Sequence, residues 1–217
     1  MRDVAIIGGP GTGKDTLVSG LESRIPRLHK IYMAQVMAYI PLRIVSEENT
    51  SLLDLPSDRW KEADVFKCSR AEYIARLLER QNYTDFPKIE RQKLIDMGKT
   101  VREVYGDNAE AVFCSAFRLD GRVNVFNNVS RTANVKYLKD SGVYVVGLHC
   151  SFDEQVRRRM NEARDIDPKK PDELATLIRR NIDTFETEAC LLLADVKYDT
   201  MRQTKDQIAD SVAELLK

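Results

Sequence analysis

The chain has 217 residues, with basic and acidic side chains balanced at 34 each. It is long enough to bury a sizeable core and has no net charge to draw it to DNA or an anionic membrane. No apolar run approaches a bilayer span and no basic-then-apolar leader precedes the first strand, so a cytoplasmic protein without nucleic-acid or membrane partners is expected. Cys68, Cys114, Cys150 and Cys190 form no C-x-x-C pair and read as reduced thiols. His29 and His149 are the only histidines, too few for a histidine metal cluster, and each lies in or beside an apolar strand rather than in a Ser-His-Asp triad.

The first predicted element is a buried parallel strand over Val4 to Ile7, running into Gly8-Gly9-Pro10-Gly11-Thr12-Gly13-Lys14-Asp15-Thr16, a G-x-x-x-x-G-K loop. Closely spaced glycines let successive amides and the next helix N-terminus converge on phosphate oxygens, so these nine residues are the predicted binding site for a nucleoside triphosphate. Lys14 supplies a mobile ammonium for the outer phosphates, and the Thr16 hydroxyl is placed for an inner one. Leu17, Val18 and Leu21 give the following helix its apolar face, with Pro26 as its limit. After the lysine, such loops usually place Ser or Thr as a magnesium ligand, and here Asp15 stands instead. A carboxylate at that point has three uses: binding the metal, binding its water shell, or capping the positive end of the helix dipole.

A second strand is predicted over His29 to Met33, followed by a helical insertion over about 34–117, too long for a single crossover. Phe66, Tyr73, Ile74, Leu77 and Leu78 form one apolar stripe. Leu94, Met97, Val101, Val104 and Tyr105 form another, ended by Gly106. Arg91 and Arg102 fall within about 20° of each other at the border of the second stripe. Two readings apply to them: solvated surface arginines, or cleft-facing donors to a phosphate.

A third strand over Val123 to Phe126 ends in Asn127-Asn128-Val129-Ser130-Arg131, at the carboxyl edge where open α/β sheets bind ligands, and Arg131 starts the next helix. Many phosphate-loop enzymes carry an aspartate near this strand end to hold the magnesium water shell. With Asn127 and Asn128 there, Asp15 is the candidate for the missing carboxylate; the asparagines are otherwise turn formers. A fourth strand spans Val143 to Leu148. Ser151-Phe152-Asp153-Glu154 then reads as a capping box opening a helix with Val156 and Met160 inward. That helix carries Arg157, Arg158 and Arg159, followed by Arg164, Asp165, Asp167, Pro168 and Pro171. Residues 157–171 are predicted as a short lid whose arginines close over a transferring phosphoryl group, the other reading being a solvated charged helix. A helix from Pro171 buries Leu174, Leu177, Ile178, Ile182 and Phe185. A fifth strand over Val196 to Tyr198 and a terminal helix packing through Ile208, Val212 and Leu215 complete the chain.

Alternation of this kind predicts a three-layer α/β/α phosphate-loop fold on a five-stranded parallel sheet: one domain over 1–217, with core 1–33 and 118–217, the insertion and the lid. The pattern resembles the P-loop nucleoside monophosphate kinases, most closely the branch containing the deoxynucleoside monophosphate kinases, whose loops also read G-K-D-T, and the dephospho-coenzyme A kinases. Arg91 to Arg102 resembles the substrate-side helix of that branch, and Asn128 to Arg131 with Val135 to Gly142 resembles its strand end and following helix. The resemblance implies ATP with Mg2+ as donor and a small-molecule nucleotide monophosphate as acceptor. It also implies Lys14 on the transferring phosphate, Arg102 and Arg131 on the acceptor phosphate with Arg91 beside them, and Arg159 or Arg164 acting from the lid. A dephospho-coenzyme A acceptor, an ATP hydrolase or switch, and a catalytically silent nucleotide binder are the alternatives.

Overall fold

The computed structural model describes residues 2–33, 99, 102, 106–115, 117–162 and 171–217. In chain order these form β1 (Val4–Gly8), α1 (Lys14–Glu22), β2 (Leu28–Tyr32), α2 (Ala109–Ser115), β3 (Val123–Asn127), α3 (Thr132–Asp140), β4 (Tyr144–His149), α4 (Phe152–Glu162), α5 (Pro171–Thr184), α6 (Thr187–Leu192), β5 (Val196–Asp199) and α7 (Lys205–Leu215). Each predicted strand is present, displaced by no more than 1 residue at either end. Both insertion stripes, Cys68, Arg91, and Arg164 with Asp165, Asp167 and Pro168 lie outside the described residues. The chain divides into two compact units, Met1–Lys30 with Leu119–Lys217, and Ile31–Arg118.

The sheet order is β2-β3-β1-β4-β5, with β1 parallel to both β3 and β4, and β4 parallel to β5. Inner strand β3 is buried along its whole length, whereas edge strand β5 has one buried residue, Tyr198, as expected where helices cover both faces of the middle strands only. The chain leaves β1 to one side for β2 and β3, then crosses to the other for β4 and β5. That reversal puts the topological switch point at the carboxyl end of β1, directly under the glycine loop. On one face, Leu17, Val18 and Leu21 of α1 and Ile208, Ala209 and Val212 of α7 share a core with Val4, Ile6, Val125, Val146 and Leu148. Gly20 lets these two helices approach closely, since a Cβ there would lie 3.0 Å from that of Ala209.

Two expectations are corrected along α4 and α5. Val156 does pack against the satellite cluster of Leu174, Ile178 and Ile182, but Met160 is 36% exposed and the buried residue of α4 is Gln155. The helix turns Gln155 and Arg158 toward the glycine loop because its neighbour there is loop backbone rather than apolar side chains. Likewise Phe185 lies beyond α5, which stops at Thr184 because Glu186 adopts a left-handed φ of 52°.

In the second unit, Gly106 at φ 96° receives the chain after Arg102, its amide donating to the Arg102 carbonyl at 2.8 Å, the C-terminal cap expected of that glycine. α2 follows with Ala109, Ala111, Val112, Phe113 and Cys114 buried.

Candidate active site

Three glycines of the loop hold positive φ: Gly8 at 152°, Gly11 at 72° and Gly13, the residue before α1, at 88°. Thr12 is buried and its hydroxyl donates to the Gly9 carbonyl at 2.9 Å, closing the loop on itself. Lys14 lies across it, Nζ donating to the carbonyls of Gly8 at 2.9 Å and Gly9 at 2.8 Å. Burial pulls the Lys14 ammonium down to a pKa of about 8, Asp15 and Glu162 opposing the shift and Arg159 adding to it. Lys14 is thus a desolvated cation in a ring of backbone dipoles, suited to binding a polyphosphate. Thr16 is exposed at the same helix end.

Close packing makes the loop intolerant of side chains. A Cβ on Gly8 would stand 2.5 Å from the Leu148 carbonyl oxygen, which is backbone and has no room to yield, and 2.7 Å from Thr12 Oγ1. Gly8→Ala is therefore expected to lower the midpoint of urea denaturation by a destabilisation of about 2 kcal/mol or more. Gly13→Ala meets nothing within 4 Å and bears only the conformational penalty of its φ, roughly 1–2 kcal/mol. Equal midpoints for the two variants would refute the steric argument.

Asp15 and Asn127 are brought together across the first crossovers: Asn127 Nδ2, fully buried at the end of β3, donates to Asp15 Oδ1 at 2.7 Å. Asn127 Oδ1 in turn accepts the amide of Asn128, which holds φ 61°. The candidate carboxylate and the strand-end amide are therefore one unit. Among the described residues no group of three or more His, Cys, Asp and Glu could hold a metal by itself. One carboxylate beside phosphates suits Mg2+, which keeps most of its waters and takes few protein ligands. The residues present fit that ion, with Asp15 as ligand or water-shell partner and Asn127 as the group orienting it.

Of the α4 arginines, Arg157 is exposed and paired with Glu154 at 2.6 Å. The half of the capping box in which the Glu154 amide donates to the Ser151 hydroxyl is present at 3.3 Å, while the Glu154 side chain pairs with both Arg157 and Arg158. Those two guanidiniums hold the Glu154 carboxyl down at about 2. Arg158 ties three elements together, its guanidinium donating to the Gly11 carbonyl at 3.2 Å, to Thr200 Oγ1 at 2.9 Å and to the Thr200 carbonyl at 2.9 Å. Arg159 lies over the loop, its Cγ 3.4 Å from where a Gly11 Cβ would be, and pairs with Glu162 at 2.7 Å. In the sequence the three arginines form one basic edge, from which only the family resemblance singles out Arg159. Only the orientation of α4 separates an anchor, Arg158, from a residue beside Lys14, Arg159.

Arg131 precedes α3 at φ 69°, and its amide donates to the Phe185 carbonyl at 3.1 Å. Glu186, unsuspected from the sequence because the periodic pattern runs unbroken through Phe185, caps α3 by accepting from the Thr132 amide at 2.9 Å and the Thr132 hydroxyl at 2.7 Å. Arg102 lies in the other compact unit, donating to Glu110 at 2.5 Å with both side chains largely buried. Cys114, Cys150 and Cys190 are free thiols, and burial pushes Cys190 up to about 12, which keeps it protonated and inert.

The same architecture occurs in the crystal structure of TT1252 from Thermus thermophilus, with a TM-score of 0.52 and 15% identity over 100% of both chains. This is a phosphate-loop α/β fold. Shikimate kinase from Bacteroides thetaiotaomicron superposes with a TM-score of 0.47 and 13% identity, over 99% of this chain and 98% of its own. The tunicamycin resistance protein of Deinococcus radiodurans does so with a TM-score of 0.45 and 15% identity, over 99% and 95%. At such identities the likeness is one of fold. No protein-family profile and no curated protein matches the sequence.

Proposed function

We propose that this chain transfers the γ-phosphoryl group of ATP, with Mg2+, to the phosphate of a nucleoside or deoxynucleoside monophosphate. The observation that carries the reading is Lys14 Nζ held within hydrogen-bond reach of the loop backbone at 2.8–2.9 Å, beside an Asp15–Asn127 pair suited to magnesium. An acceptor phosphate oxygen forms the new P–O bond, the bond between the γ-phosphorus and the bridging oxygen breaks, and ADP leaves. Because the nucleophile is already an anion, no general base is required, and catalysis is positioning plus positive charge. Bound Mg2+ would spread the charge on the phosphates, held by Asp15. Lys14 and Arg159 would face the transferring group and Arg131 would hold the acceptor phosphate; the sequence reading adds Arg164 to the first role and Arg102 and Arg91 to the second. The acceptor class rests on the sequence resemblance.

ADP release from Mg-ATP measured across ribo- and deoxyribonucleoside monophosphates and dephospho-coenzyme A, with an acceptor-free control, tests this reading. Monophosphate-dependent ADP is expected. ADP formed without acceptor means a hydrolase or switch, and nucleotide-dependent thermal stabilisation without turnover means a silent binder. Arg102→Ala is expected to raise the acceptor KM about tenfold or more and leave the ATP KM within about twofold, the pattern of a lost bidentate phosphate contact. Since Glu110 then loses this ion pair, Arg102→Lys is the control: it retains a cation for Glu110 and should recover stability but not the acceptor KM. Equal rises in both KM values would remove Arg102 from the acceptor site.

A further inference from the structure

Backbone strain in the first unit is concentrated at one corner. All three non-glycine residues with positive φ among the described residues lie there or next to it: Asn128 at 61°, Arg131 at 69° and Glu186 at 52°. Such conformations persist only where the surroundings enforce them, and they gather where a side chain must be aimed. At this corner the enforcement comes from the turn between α5 and α6. The Phe185 carbonyl takes the Arg131 amide, and one oxygen of Glu186 takes both the amide and the hydroxyl of Thr132. Asn134 adds a bond from its amide to the Ser130 carbonyl at 2.9 Å. The residues on either side of the Arg131 α-carbon are therefore pinned.

The guanidinium itself is not consumed by this clamp. Arg131 NH1 stands 3.9 Å from Glu186 Oε1, beyond hydrogen-bond reach, and its Nε is buried with no partner among the described residues. A buried donor without an acceptor is costly unless a ligand supplies one. The geometry points to Glu186 as a positioning residue that clamps the strained Arg131–Thr132 backbone and so presents the Arg131 guanidinium to a phosphate group. This inference rests on the proposed function for the identity of that phosphate as the acceptor's. It requires that Glu186 act through its oxygen as an acceptor for Thr132, rather than through its charge.

Glutamine retains the acceptor oxygen and loses the charge. Glycine loses both, while fitting φ 52° better than glutamate does, so Glu186→Gly folds without new strain. The probe is inorganic phosphate, followed at the Arg131 Nε–Hε NMR signal, assigned by its loss in Arg131→Lys. The wild-type signal is expected to shift saturably with phosphate. Glu186→Gln should titrate within about twofold of wild type, and Glu186→Gly should need roughly tenfold more phosphate. Identical titrations for Glu186→Gly and wild type, equal weakening in both variants, or no wild-type shift would each overturn the inference. A fall in melting temperature for Glu186→Gly with its titration unmoved would mark a purely structural cap and overturn it as well. Monophosphate-dependent ADP formation without the Arg131 shift would spare the proposed function and remove Glu186 from it; the shift without ADP formation would do the reverse.

Discussion

Lys14→Met is expected to lower kcat by about 10²- to 10³-fold, because a donor aimed at charge developing on the transferred group is worth roughly 3–4 kcal/mol. Near-normal ADP formation by this variant would contradict the mechanism. The same lysine makes nucleotide binding depend on pH in a predictable direction. Burial holds it near 8 in the protein alone, below its ordinary 10.5, and the phosphates of ATP restore the charged form. Binding therefore takes up a proton at and above pH 8, and ATP affinity falls as pH rises through 8 toward the higher bound-state value. For the protein without nucleotide the linkage has the opposite sense: between pH 8 and 10.5 the unfolded chain holds more protons at Lys14 than the folded one, so this residue adds stability as pH rises across that window. Calorimetric titration with ATP in two buffers of different ionisation enthalpy measures the proton uptake. It should vanish in Lys14→Met.

Asp15→Asn is expected to raise the Mg2+ concentration for half-maximal velocity by about 10- to 100-fold, the range found when a group holding a metal or its first shell is lost. Velocity against MgCl2 at fixed ATP reads this directly, and unaltered magnesium dependence together with unaltered turnover would leave Asp15 only the role of a helix cap. A complementary variant needs no turnover. Asn127→Asp places a buried carboxylate where an amide now donates to Asp15 at 2.7 Å, so the lost hydrogen bond and like-charge repulsion should lower the melting temperature without divalent cation. Added Mg2+ should recover much of that loss. Failure of Mg2+ to raise the melting temperature of Asn127→Asp more than that of wild type would show that no cation shares this pair.

The strands and the glycine loop were legible in the sequence because each is a local property. Val4 to Ile7 is an unbroken apolar run, the conformational freedom of Gly8, Gly11 and Gly13 needs no partner to be recognised, and each predicted strand lies within 1 residue of the observed one. The helix carrying Arg157, Arg158 and Arg159 was legible as a helix, but not in its orientation. Counting apolar residues placed Met160 inward, whereas the face turned to the loop is polar, led by Gln155, and apolar periodicity is blind to such a face.

By itself, then, the sequence determined a parallel α/β sheet with a glycine-rich G-x-x-x-x-G-K loop after its first strand, since glycine spacing and runs of buried residues are written in consecutive positions. Tertiary structure alone decided that Asp15 meets Asn127 across 112 residues, that Arg158 anchors the loop to Thr200 just past β5 while Arg159 lies over the loop, and that Glu186 holds the corner at Arg131. The physical reason is that each of these contacts joins elements separated by at least one crossover. Their distances follow from how helices seat on the sheet, which no local pattern of residues encodes.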